Sequence, residues 1–205
     1  MPLDSKNNKD ILKLILRIGI YGSIIFTIAL FALADEFLQY KLGKLLGIVS
    51  VGVFIVTVLP GIFRRFKVKG FLNQIQNLLM YNRARLGILM FVIATAHYLL
   101  TFLVPAIRIG IIPPAFLTFE LFGVVALFGS FPLFLTSNNF SKKLLKKNWG
   151  RLHALVYILI WAIFLHVALN AETDLVKYLI AIGLLIVGAL QVMSLVFEKL
   201  EKKTV

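Results

Sequence analysis

Apolar residues run along this chain in six long stretches, separated by short polar segments. They cover roughly positions 11–33, 42–63, 86–104, 116–136, 152–169 and 175–197. A helix needs about 20 apolar residues, within a range of about 17–25, to cross the hydrocarbon core of a bilayer, and each stretch is of that length. The pattern predicts an all-α fold: a polytopic membrane protein with a six-helix transmembrane bundle, a single domain over 1–205. The first stretch contains Lys13 and Arg17, whose long side chains can snorkel from its early turns. It is too long for the apolar core of a signal peptide, and no small-residue cleavage site follows it. Between stretches two and three, apolar residues at 71, 72, 75, 78 and 79 recur at helical spacing opposite Asn and Gln. That spacing predicts an interfacial helix over 71–85 leading into the third span. Pro105, Pro113 and Pro114 predict a loop over 104–115.

Composition supports the membrane assignment. Of the 205 residues, 60% are apolar and only 15% charged, against about 45–50% and about 25% in soluble domains. Cysteine is absent, which excludes disulfides, thiolate-bound zinc and iron–sulfur clusters built from this chain.

The net charge of +13 does not indicate nucleic-acid binding, because the cations are not interleaved with stacking aromatics. They sort by loop instead. The N-terminal segment, the links between spans two and three and between four and five, and the C-terminal tail hold eighteen of the 22 Lys and Arg residues. The alternate loops hold Lys41, Lys44, Arg108 and Lys177. Basic loops stay in the cytoplasm, so both termini are expected there, as an even number of spans also requires. Arg64, Arg65, Lys142, Lys143, Lys146 and Lys147 form a basic inner face. It fits this topology signal and would also suit docking of an acidic redox partner.

All three histidines fall within apolar stretches: His97, His153 and His166. A histidine inside a membrane helix either bonds to a neighbouring helix or marks a functional site. Spans three and five run in the same direction. His97 follows Arg85 by about 18 Å of helix rise and His166 follows Arg151 by about 22 Å, which puts both in the outer half of the bilayer. Two neutral imidazoles facing each other at one depth suit the two axial positions of a b-type haem. His153 lies near the inner face and is a candidate ligand for a second, inner haem. Its thirteen-residue spacing from His166 turns an ideal helix by about 220°, so a stacked pair of haems needs a distorted fifth helix. Arg83 and Arg85 sit at the inner level of span three. They suit haem propionates, or else lipid headgroups and topology.

The string "LTSNNFSKKLLKKNWGRLHALVYILIWAIFLH" resembles the fourth-loop and fifth-helix signature of the ferric reductase-like transmembrane domain. Thr136, Ser137, Trp149, Leu152, His153, Leu155, Tyr157 and His166 carry the likeness. "RARLGILMFVIATAH" resembles the third helix of that family, especially of its bacterial MsrQ (YedZ) branch of haem-binding membrane subunits, through Arg83, Leu86, Gly87 and His97. Ala84 stands where the branch has a second arginine, and Arg85 follows one place later. The resemblance implies a multi-pass protein of the inner (plasma) membrane that binds one or two b-type haems and carries electrons outward. Its donor would be a separate flavin reductase or quinol, which brings FMN or quinone into the picture. Its acceptor would be an extracytoplasmic redox protein such as a methionine sulfoxide reductase. No Gly-rich dinucleotide fingerprint occurs in the sequence, so a separate donor is expected.

Two other classes compete. A small transporter or channel could relay protons through the histidines, and Glu120 is the one carboxylate well placed for that. A structural membrane subunit without cofactor would use the histidines as packing contacts.

Overall fold

The computed structural model describes residues 5–110, 117–171 and 174–202. Every regular element among them is helical: α1 (Lys6–Leu33), α2 (Glu36–Arg65), α3 (Phe71–Tyr98), a π-helical turn (Leu99–Leu103), α4 (Val104–Arg108), α5 (Thr118–Leu135), α6 (Asn139–Leu145), α7 (Lys147–His153), α8 (Val156–Leu169) and α9 (Leu175–Glu201). They make six helical stretches long and apolar enough to cross a membrane, with α3 through α4 acting as one and α7 with α8 as another.

Short polar side chains start the helices by satisfying N–H groups that have no partner within the helix. Asp35 accepts from the Leu38 N–H at 2.7 Å, Asn138 from Ser141 at 2.7 Å, and Asp174 from Val176 at 3.0 Å.

Five of the stretches close into a ring in which α2 packs on α3, α3 on α5, α5 on α8, α8 on α9, and α9 back on α2. α1 leans on α3 from outside. One half of the ring is filled by Phe54, Val58 and Ile62 of α2, Leu159 and Ile160 of α8, and Leu184 of α9. Residues such as Ile18, Ile25, Leu179 and Ile186 are exposed on the outer surface. That is the inside-out distribution expected when lipid, not water, covers the outside.

Two expectations about the third span change. Residues 71–85 are not a separate interfacial helix: α3 runs unbroken from Phe71 to Tyr98. Its only internal glycine is Gly87 and it has no proline, so nothing stops the helix before the core. At 1.5 Å per residue the 38-residue stretch from Phe71 to Arg108 is about 57 Å long, beyond the core thickness of about 30 Å. Nor does Pro105 begin a loop. The π turn ahead of it widens the backbone, with the Val104 N–H bonding to the Leu99 carbonyl five residues back. A proline lacks the N–H and collides with the carbonyl four residues earlier in an α-helix, and a π turn relieves that collision. Helix therefore continues to Arg108. Pro113 and Pro114 lie outside the described residues.

The fifth span is distorted near its start. α7 ends at His153 and α8 begins at Val156. Tight three-residue turns join them, with Leu155 N–H bonded to the Leu152 carbonyl at 3.0 Å and Tyr157 N–H to the Ala154 carbonyl at 3.0 Å.

Candidate functional site: a two-histidine cavity

The ring of helices encloses a cavity of about 320 Å³, within the range of about 300–1,000 Å³ typical of cofactor and ligand sites. It opens at the end of the bundle where α2, α5 and α9 begin and where α3 and α8 end. Phe54, Met90, Ala126 and Leu159 line its apolar depth, while Tyr40, Lys44, Glu120 and Lys177 line its mouth. His97 of α3 and His166 of α8 both face into it, their ring centroids 6.3 Å apart and their planes inclined at 70°.

Each ring is fixed in the same way. His97 Nδ1 lies 2.8 Å from the Gly43 carbonyl oxygen, and His166 Nδ1 lies 2.8 Å from that of Phe119. A carbonyl can only accept, so in both rings Nδ1 carries the proton and Nε2 keeps its lone pair. Nε2 sits across the five-membered ring from Nδ1. Tying Nδ1 to the wall therefore turns Nε2 away from it.

The carbonyls are reachable because of a glycine one turn further along each helix. In "GKLLG" the Gly43 carbonyl is followed four residues later by Gly47, and in "FELFG" the Phe119 carbonyl is followed by Gly123. A side chain at the fourth residue would stand over the carbonyl and block its second lone pair. A Cβ at Gly47 would lie 2.8 Å from His97 Nδ1, and one at Gly123 would lie 2.7 Å from His166 Nδ1. Gly43 brings the backbones together as well, since its Cβ would meet Thr101 and Leu100 at 2.8 and 2.9 Å. The α2/α3 and α5/α8 pairs thus present the same device from opposite sides of the cavity.

This donor set fits a metal held between two axial nitrogens. Metal–imidazole bonds are about 2.0–2.1 Å, so two opposed imidazoles on one metal have centroids about 6 Å apart. The observed separation is 6.3 Å. Carbonyl bonds of this kind would orient a metal-binding histidine and make it more basic. No group of three or more His, Cys, Asp or Glu side chains able to hold a metal ion occurs among the described residues. A ring-shaped ligand that supplies the equatorial positions itself matches what the chain offers.

The chain is similar to the protein-methionine-sulfoxide reductase heme-binding subunit MsrQ of Rhizobium meliloti (strain 1021). The two are 35% identical over 119 residues, covering 54% of this chain and 53% of that protein. The chain therefore spans about half the length of the curated relative it matches. No family model and no solved structure matches it.

The remaining sequence candidates lie elsewhere. His153 does not line the cavity. Its ring stacks on Trp149 at a centroid distance of 4.0 Å, and its Nε2 is 3.1 Å from Thr136 Oγ1. The Thr136 hydroxyl donates to the Pro132 carbonyl at 2.7 Å, so it receives its second bond from His153 Nε2–H. The nitrogen that has no hydrogen-bond partner among the described residues in His97 and His166 is thus occupied in His153. Trp149 is itself anchored by donating to the Thr136 carbonyl at 3.0 Å.

Arg83 and Arg85 do not reach the cavity either. Arg83 reaches the Tyr157 hydroxyl, while Arg85 lies 3.4 Å from Asn82 Oδ1. They precede His97 by 14 and 12 residues, about 21 and 18 Å of rise, too far for a side chain to span.

Arg65, expected on a basic inner face, is instead enclosed by the helices. It is buried, donates to Tyr157 and lies 3.1 Å from Glu198, because a guanidinium enclosed by helices needs an anion and acceptors around it. The residues missed by sequence reasoning are Gly43, Gly47, Phe119 and Gly123, together with Lys44 and Lys177, which had counted only as loop charges. The repeated spacing of "GKLLG" and "FELFG" was the available signal.

Proposed function

We propose that the chain is a membrane electron-transfer subunit that binds one b-type haem through His97 and His166. The observation that carries this reading is the pair of imidazoles across one cavity, each with Nδ1 bonded to a helix carbonyl and, among the described residues, no hydrogen-bond partner at Nε2. When bound, the haem supplies a one-electron iron couple. The chain's own residues hold the imidazoles at a fixed separation, keep Nε2 unprotonated and surround the site with apolar side chains that exclude water. The similarity to a methionine sulfoxide reductase heme-binding subunit supports an acceptor of that kind. A flavin reductase or the quinol pool is the corresponding donor, with FMN or quinone entering through it.

The direct test is the visible spectrum of purified protein. A reduced low-spin b-type spectrum is expected. A colourless, well-folded preparation would favour the proton-relay or structural alternatives.

The bond from His153 to Thr136 supports a packing role for this residue and a single haem. His153→Ala is expected to leave haem per protein unchanged by pyridine haemochrome. Halving of the haem content would mean that His153 serves a second haem.

The loop charges support cytoplasmic termini. Reporter fusions after Lys69, Lys147 and Val205 are expected to read cytoplasmic, and fusions near Tyr40, Ile109 and Thr173 external. The cavity mouth would then face outward, towards the acceptor.

A further inference from the structure

We propose that Lys44 and Lys177 form a two-ammonium site at the cavity mouth that takes the paired carboxylates of the porphyrin. This rests on the haem reading above and adds to it the orientation of the ring, with its carboxylate edge at the α2/α5/α9 end.

Both lysines line the same cavity as His97 and His166. Lys44 directly follows Gly43, whose carbonyl holds the His97 ring. Lys177 reaches Asn170, which is one helical turn beyond His166. Its Nζ lies 2.9 Å from the Asn170 carbonyl oxygen and 3.3 Å from Oδ1. The two ammonium groups thus belong to the two walls that carry the two imidazoles.

Neither lysine is fully engaged by an anion. Among the described residues Lys44 makes no ion pair, and its ammonium stands 4.3 Å from the Tyr40 ring centroid. Lys177 has Asp174 only at 3.9 Å. An ammonium has three donors, so each lysine keeps capacity for a further acceptor.

Among the described residues, the carboxylates lining the mouth are Glu120 and Asp174, and each accepts from backbone. Glu120 accepts from the Leu117 N–H at 2.8 Å, and Asp174 accepts from Val176 and Lys177 N–H at 3.0 and 3.3 Å.

Among the described lining residues the apolar depth of the cavity has no comparable cation. Phe54, Met90 and Leu159 line it, so a carboxylate pointing inward would be desolvated without a partner.

The test compares haem b with its dimethyl ester, in which both carboxylates are masked. The full chain, produced without haem and purified in detergent, is titrated with each. Wild type is expected to bind haem b with a low-spin spectrum. Lys44→Gln/Lys177→Gln is expected to bind haem b at least about tenfold more weakly, yet bind the dimethyl ester as wild type does. Lys44→Arg in the otherwise wild-type chain should retain haem b affinity. Equal binding of haem b by wild type and the double variant overturns the assignment. So does equal weakening of both ligands, which would mean that the lysines only support packing. If wild type gives no low-spin spectrum with either ligand, the haem reading fails and this site fails with it. If wild type binds both ligands with that spectrum and the double variant is unaffected, only the lysine site fails.

Discussion

His97→Ala is expected to eliminate the low-spin haem spectrum, and His166→Ala to eliminate the same spectrum. Each substitution would remove one of the two imidazoles proposed to hold the haem. Loss of even an outer-shell partner of a metal ligand costs about 10–100-fold in affinity, and loss of the ligand itself is expected to exceed that. Haem content by pyridine haemochrome should fall below about a tenth of wild type in both variants. The fold should survive, because both rings border a cavity that Val58, Ile62, Ile160 and Leu184 of the buried cluster do not line. A monodisperse detergent–protein peak with unchanged helical content checks that. The two variants must behave alike, since the device holding His97 on α2/α3 is repeated for His166 on α5/α8. A full low-spin spectrum in His97→Ala, with loss in His153→Ala, would transfer the ligand role to the residue stacked on Trp149.

Much of this arrangement was legible before any coordinates. Six helices follow from apolar runs too long for a soluble core, and they recur as six helical stretches of spanning length. The meeting of His97 and His166 follows from counting rise along two parallel spans, because depth in a bilayer is a one-dimensional quantity that sequence spacing reports directly. What spacing cannot report is which neighbouring helix a side chain faces. His153 has a suitable depth for an inner site, yet it turns to Thr136 and Trp149. Arg83 sits at a plausible level but is drawn to Tyr157. The continuation of helix through Pro105 depends on a π turn, a backbone choice with no residue signature of its own. Lys44 and Lys177 looked like exceptions to a topology rule until the ring of helices put both at one mouth.

The glycines make the sharpest demand on this geometry. Gly47→Ala and Gly123→Ala are each expected to lose most of the haem while leaving the helices intact. In an exposed helix, glycine to alanine gains about 1 kcal/mol, because alanine gives up less backbone freedom. Here the new methyl carbon would lie 2.8 Å from His97 Nδ1 in one case and 2.7 Å from His166 Nδ1 in the other. Those separations are shorter than any unstrained carbon–nitrogen contact, so the ring or the helix must move. Overpacking of this kind costs about 1–3 kcal/mol, and a broken Nδ1–H bond costs about 0.5–1.5 kcal/mol more. The sum exceeds the gain in helix propensity, and it acts on the orientation of the ligand. Haem affinity should therefore drop by about 10–100-fold, with a shift in the reduced spectrum of whatever haem remains. Gly22→Ala and Gly52→Ala are the matched controls. Both glycines are helical, and a Cβ at either meets nothing within 4 Å. These variants should keep full haem content and gain slightly in thermal stability. If Gly47→Ala and Gly123→Ala match the controls in haem content and spectrum, the carbonyl–glycine device does not position the imidazoles.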